Sequence, residues 1–357
     1  MKITSSITSV LLAGSYVSSA LAQNLSFGAD NWYRSPIVTV RPITFLTQFR
    51  TSVAGNLFVP SSISNTTNST SSSYPAIIVG HPMGATKEQS ANLHATVLAE
   101  SGFITLSLDL PFWGSSEGTP MNTVAPEFYA EAFSAAVDFL GAHPLVDRSR
   151  IGALGICGSG SFVISAAKTD CRIKAVATTS MYDMGAVTRY GLQRVITVEQ
   201  RQAAVAVASR QRWSEVDGGR IEVTGGTPDF LTNETDAIGR EFFDFYRTLR
   251  GEFTAPTTTP NLTTHPTVAS QMRFLNFYPF NDIDFISPRP MLFVHGTRAH
   301  SREFSEDAYS RAGWPKELVW IEGADHVDLY DRVELIPFAK FASFFEQNLA
   351  PGMEFGC

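Results

Sequence analysis

Short apolar runs and amphipathic stretches alternate along most of the chain. Ile43–Gln48 and Ala54–Val59 alternate between apolar and polar positions and predict an antiparallel hairpin. Pro75–Val79, Phe103–Leu108, Ile151–Ile156, Lys174–Ser180, Pro290–His295 and Leu318–Ile321 are apolar runs of strand length, as expected of strands buried on both faces. Helical periodicity fills the gaps: Lys87–Glu100, stopped by Gly102, then Phe128–Gly141, the alanine-rich segment after Cys157, and Leu335–Asn348. This alternation predicts an α/β fold with a mostly parallel sheet covered on both faces. From about Ala186 to Asp284 it breaks. A Gln/Arg/Ala-rich helical part, Val198–Trp213, is followed there by a Gly/Thr/Pro-rich stretch. Residues 186–284 therefore read as a cap inserted into a core made of 23–185 and 285–357, and no internal repeat is found.

Composition narrows the function. Apolar content of 44% supports a packed core. The net charge of −7 and the lack of a basic cluster argue against nucleic acid and anionic membrane as partners. Residues 1–22 read as a signal peptide: Lys2, an apolar stretch to about Tyr16, and the small-residue site Ala20-Leu-Ala22. Sequons at Asn24, Asn65, Asn68, Asn233 and Asn261 agree with a secreted glycoprotein, two of them in the polar loop Ser61–Ser73. No apolar run approaches a membrane span. The seven histidines are scattered, without metal-ligand spacing, and no phosphate-binding loop is present, so no metal and no cofactor are expected.

The chemistry centres on Gly155-Ile-Cys-Gly158-Ser-Gly160, where a short apolar strand turns into a helix. So tight a corner needs near-absent side chains around its apex, as in the G-x-S-x-G nucleophile elbow, with Cys157 here in the serine's place. A thiolate at a helix N-terminus is favoured by the helix dipole and free N–H groups, which predicts a lowered thiol pKa. The helix after Cys157 spans about 16 Å, so a Cys157–Cys171 bridge is rejected. Either Cys171 pairs with Cys357, leaving Cys157 as the odd thiol, or all three are free.

Other candidate groups fall at strand ends: Gly80-His-Pro-Met-Gly84, Asp109-Leu-Pro-Phe-Trp-Gly114, Ser180-Met-Tyr-Asp-Met-Gly185, Ala299-His-Ser-Arg302 and His326-Val-Asp-Leu-Tyr330. With the Cys157 corner, this order resembles the α/β-hydrolase fold from about Ile43 onward, in its cysteine-elbow, dienelactone-hydrolase-like branch. In motif it is most similar to the polyketide-transferase-like hydrolases of fungal secondary metabolism. The resemblance implies acyl or thioester chemistry on a small-molecule substrate, with Cys157 as nucleophile and His326 as base. Oxyanion donors are expected from the backbone N–H groups of Gly158 and Met83. The usual acid position after the Pro290–His295 strand holds no carboxylate. Asp183 is then the leading candidate, Glu306 or Asp307 the next, and a site without an acid remains open. His81, Trp113 and His300 are candidate substrate contacts, with Phe112 and Phe128 beside Trp113 as candidate pocket walls, whereas His295 reads as structural. A non-catalytic binding protein on a degenerate hydrolase fold is the alternative.

Overall fold

The computed structural model describes residues 30–64, 73–256, 259 and 262–353. Eight strands form one sheet: β1 (Val38–Leu46), β2 (Ser52–Pro60), β3 (Tyr74–Gly80), β4 (Ile104–Leu108), β5 (Val146–Ile156), β6 (Ile173–Thr179), β7 (Met291–Gly296) and β8 (Lys316–Ile321). Their spatial order is β1-β2-β4-β3-β5-β6-β7-β8, and only β2 runs antiparallel to its neighbours. This is the sheet expected of an α/β hydrolase. β4 and β7 are buried along their whole length, because helices cover both faces. β1 lies at an edge, carries Pro42 and leaves most of its residues exposed, which discourages further strand pairing.

Crossover handedness fixes the helix layers. The chain steps from β3 to β4 in one direction and then from β4 back past β3 to β5. Right-handed connections therefore put α1 (Ala91–Glu100) on one face and α2 (Pro126–Ala142) on the other. α3 (Ser159–Thr169) follows in the same direction as α2 and packs beside it. α1 begins four residues later than the periodicity suggested, because Ser90 adopts a left-handed φ of 78°.

Between β6 and β7 the chain leaves the sheet for α4 (Met184–Tyr190), α5 (Val198–Val216) and α6 (Ala237–Tyr246). A capping box of Thr197 and Gln200 starts α5, and Ala208 is its one buried residue, so this helix lies on the surface. α6 falls in the stretch that composition marked as irregular. Its signals are local: Asp236 accepts a hydrogen bond from Gly239 N–H at its start, and Phe245 and Tyr246 bury on one face. Beyond β7 come α7 (Arg302–Arg311), the single turn α8 (Asp328–Asp331) and α9 (Phe338–Asn348), which returns to pack on α1. Polar ties join the inserted segment to the core. Arg250 grips both carboxylate oxygens of Asp331 at 2.9–3.2 Å, and Gln89 donates to Gly251 O at 2.7 Å. Cys171 is disulfide-bonded and Cys157 is a free thiol, while the expected partner Cys357 lies outside the described residues.

One buried ion pair sets the turn after β3. Asp109, fully buried beyond β4, accepts from the Lys87 backbone N–H and the Lys87 ammonium, both at 2.7 Å, and from Ser115 N–H at 2.8 Å. Removing one partner leaves uncompensated buried charge and orphaned donors. Asp109→Ala is therefore expected to cost about 3–5 kcal/mol of stability, read from urea denaturation.

Candidate active site

Cys157 sits where β5 turns into α3, with a left-handed φ of 53° that costs a non-glycine residue on the order of 1–3 kcal/mol. The flanking glycines explain how the corner closes. A Cβ on Gly155 would stand 2.3 Å from Ser159 O, and one on Gly158 would stand 2.5 Å from the Cβ of Met83. Ser159 points inward and donates its hydroxyl to His81 O at 2.5 Å, fastening the corner to the Gly80–Gly84 turn. The Cys157 backbone N–H donates to Thr179 O and its carbonyl accepts from Tyr182 N–H, so both backbone groups are held.

The side chain is almost wholly buried, at 6% exposure. Three groups hydrogen-bond its sulfur: the Tyr330 hydroxyl and the backbone N–H groups of Gly158 and Met83. The structure thus brings both expected oxyanion donors to the nucleophile. It reverses the expectation for the thiol's acidity. Burial pushes the Cys157 thiol up to about 11, although Tyr330 and the two N–H groups favour the thiolate. The helix N-terminus is present, but desolvation outweighs it.

His326 follows β8 and is fully buried; desolvation, then the neighbouring His300 and His295, holds its pKa well below the ordinary histidine value. Both of its ring nitrogens are occupied. Nε2 lies 2.8 Å from the Tyr330 hydroxyl, and Nδ1 lies 2.5 Å from Ser301 Oγ. Ser301 Oγ in turn lies 3.0 Å from His295 Nε2, and His295 Nδ1 lies 2.7 Å from Ser305 Oγ. A neutral hydroxyl thus stands where a carboxylate was sought. The Asp183 carboxylate instead accepts Ala186 N–H at 2.7 Å as the N-cap of α4, and burial raises its pKa to about 6. Glu306 pairs with Arg302 on the exposed side of α7. Asp307 pairs with Arg311 on the same helix. None of the three bonds to His326.

Of the three expected substrate contacts, His81 and Trp113 are engaged away from the cavity, and His300 lies beside His326. His81 is fully buried between the Leu110 N–H, which its Nε2 accepts at 3.0 Å, and Pro82 O, 2.7 Å from its Nδ1. Burial lowers its pKa to about 4, so it is a neutral pin joining two loops. Trp113 donates its indole N–H to Tyr129 OH at 2.8 Å and packs in the core. His300 does reach the site, its ring tilted against that of His326 at 4.9 Å between centroids, and its Nδ1 lies 3.1 Å from Glu241 Oε2. Glu241, from α6, also accepts Val327 N–H at 2.8 Å. Sequence reasoning missed Glu241, the role of Ser301, and Tyr330, whose spacing of four after His326 was the available signal. Of the sequons, Asn233 is exposed on a turn, and Asn24, Asn65, Asn68 and Asn261 lie outside the described residues, as do residues 1–22.

Cys157 and Tyr330 open onto a cavity of about 840 Å³, whose apolar lining includes Met184, Val187, Phe242, Phe274 and Leu275. The inserted segment supplies most of these residues, and neither Phe112 nor Phe128 lines the cavity. Among the described residues, no group of three His, Cys, Asp or Glu side chains could hold a metal ion, and no helix is long and apolar enough to cross a membrane.

No protein-family model matches the chain. It is 41% identical over 316 residues to PA2218, an uncharacterised protein of Pseudomonas aeruginosa, covering 87% of this chain and 81% of that one. The crystal structure of PA2218 superposes with a TM-score of 0.82, covering 89% and 96% of the two chains. Thiohydrolase aneE of Aspergillus aculeatus is 26% identical over 259 residues, 71% of this chain and 78% of its own. The α/β hydrolase GrgF from Penicillium has the same fold, with a TM-score of 0.71 at 21% identity over 87% of this chain and 99% of its own.

The buried thiol makes a direct prediction. Because its pKa is raised, little thiolate exists at neutral pH. Alkylation of Cys157 by iodoacetamide should therefore be slow at pH 7, with a rate that climbs until about pH 11. A rate–pH profile levelling off near pH 8 would contradict it.

Proposed function

Because the chain belongs to one family with PA2218 and has the α/β-hydrolase fold, we propose that it is a hydrolase or acyltransferase working through an acyl-Cys157 intermediate. The substrate class is an ester, lactone or thioester of a small molecule. One observation carries this reading: Cys157 stands at a strained corner, opens onto an apolar cavity and has the N–H groups of Met83 and Gly158 on its sulfur.

In the proposed reaction the sulfur attacks the carbonyl carbon and its proton ends on Nε2 of His326. Charge gathers on the carbonyl oxygen, which the Met83 and Gly158 N–H groups receive, and one such donor is worth roughly 2.7–4 kcal/mol in the transition state. The leaving group departs with a proton returned by His326, and water or an acceptor alcohol then attacks the thioester by the same route. The raised thiol pKa and the lowered imidazole pKa keep both groups neutral at rest, so proton transfer accompanies carbon–sulfur bond formation rather than preceding it. Met184, Val187, Phe242, Phe274 and Leu275 suit an apolar acyl chain. The name of the relative aneE, a thiohydrolase, favours an acyl group delivered as a thioester, and the wider resemblance favours polyketide metabolism. The basic and apolar N-terminal stretch and the exposed sequon at Asn233 support an exported glycoprotein. A binding protein on the same fold is the second reading, and the absence of a carboxylate on His326 favours it.

Intact-protein mass measured during turnover of p-nitrophenyl butyrate separates the two. The expected outcome is a butyryl adduct in the wild type, with no adduct and at least a ~1,000-fold loss of kcat in Cys157→Ala. Asp183→Asn should keep kcat within about threefold, since asparagine also caps helices and Asp183 does not bond to the base. Unchanged turnover in Cys157→Ala excludes the acyl-cysteine mechanism.

A further inference from the structure

We propose that Tyr330 carries the proton between Cys157 and His326, so that nucleophile and base never exchange it directly. This rests on the acyl-cysteine reading and adds a catalytic residue to it. The Tyr330 hydroxyl bonds to Cys157 on one side and to His326 Nε2 at 2.8 Å on the other, while the remaining nitrogen of His326 is occupied by Ser301. The ring nitrogen that would take the thiol proton in a direct pair is thus already engaged by the phenol.

The tyrosine is also held in place. Its ring meets Phe245 edge-to-face at 5.2 Å and His326 at 5.4 Å, and the Tyr246 hydroxyl bonds to its own. Its backbone N–H donates to Val327 O, its carbonyl accepts from Ser90 Oγ at 3.0 Å, and the next residue, Asp331, is gripped by Arg250. The side chain is fully buried, and these contacts hold its hydroxyl at the imidazole.

A neutral phenol is suited to the task because one oxygen both donates and accepts. During acylation the Cys157 S–H bond breaks and its proton joins Tyr330 Oη, while the proton already on Tyr330 moves to His326 Nε2. The sulfur lone pair forms the bond to carbon, and the carbonyl π pair moves onto oxygen. On collapse, His326 returns a proton to Oη as Oη releases one to the leaving atom. Tyr330 ends each step as it began. With Nδ1–H donating to Ser301 Oγ, the imidazole of His326 accepts the proton at Nε2, and the imidazolium so formed returns it from Nε2 while keeping that bond.

The test is turnover of p-nitrophenyl butyrate by Tyr330→Phe and by enzyme carrying 3-fluorotyrosine or 3,5-difluorotyrosine at 330. The phenylalanine variant should lose at least ~100-fold in kcat with KM little changed, the scale of a general acid–base step. The fluorinated enzymes, of nearly unchanged shape, should show kcat and its pH profile moving progressively with phenol acidity. A tyrosine that only packs would leave the fluorinated series flat, and that result overturns the relay even if Tyr330→Phe folds poorly. Wild-type kcat in Tyr330→Phe overturns it as well. In both cases loss of turnover in Cys157→Ala leaves the acyl-cysteine reading standing, whereas turnover retained in Cys157→Ala overturns both.

Discussion

Desolvation of Cys157 and His326 is the constraint around which the site is built. An isolated thiolate or imidazolium out of water is expensive, and neither has an opposite charge bonded to it. Both are therefore neutral at rest, and the groups that hydrogen-bond to them are hydroxyls and backbone N–H groups. Tyr330, Ser301, Met83 and Gly158 supply directed dipoles where a charged triad would supply an ion pair. Dipoles of this kind cost little until charge develops and are then already oriented, which is the condition for electrostatic preorganisation. The strained corner at Cys157 persists because surrounding bonds over-determine it, among them the Ser159 tie to His81 O and the backbone bonds to Thr179 and Tyr182.

The fold delivers these groups from far apart in the chain. Met83 arrives on the turn after β3, Cys157 after β5, Ser301 after β7, and His326 with Tyr330 after β8. In a parallel sheet these turns all emerge at the same edge, so one register places them together. Buried polar pins set the turns themselves: Asp109 with Lys87 behind the Met83 turn, and His81 between Pro82 and Leu110.

Much of this was legible in the sequence because it is written locally. Gly155 and Gly158 around Cys157 announce a corner that only small residues allow, and the run of buried strands announces a parallel sheet. The absence of a carboxylate after β7 was also readable. Its replacement was not, since Ser301 carries no pattern that separates it from an ordinary loop serine. The direction of the thiol's acidity was misjudged because a helix N-terminus is visible in sequence and the depth of its burial is not. Trp113 and His81 looked like pocket groups for a related reason: residue type places them near strand ends but does not say which way a ring turns. α6 was overlooked among Gly, Thr and Pro because its apolar face is short and buries against the core only in the folded protein.

The grip of Arg250 on Asp331 shapes how the inserted segment can be exchanged. That segment is grafted into the site at two further points, with Glu241 on the Val327 N–H and the Tyr246 hydroxyl on Tyr330. Lifting it as a rigid flap would strand a buried carboxylate and orphan the amide beside His326. Chimeras that swap in a foreign segment to retune specificity would have to carry Glu241, Tyr246 and Arg250 across with it.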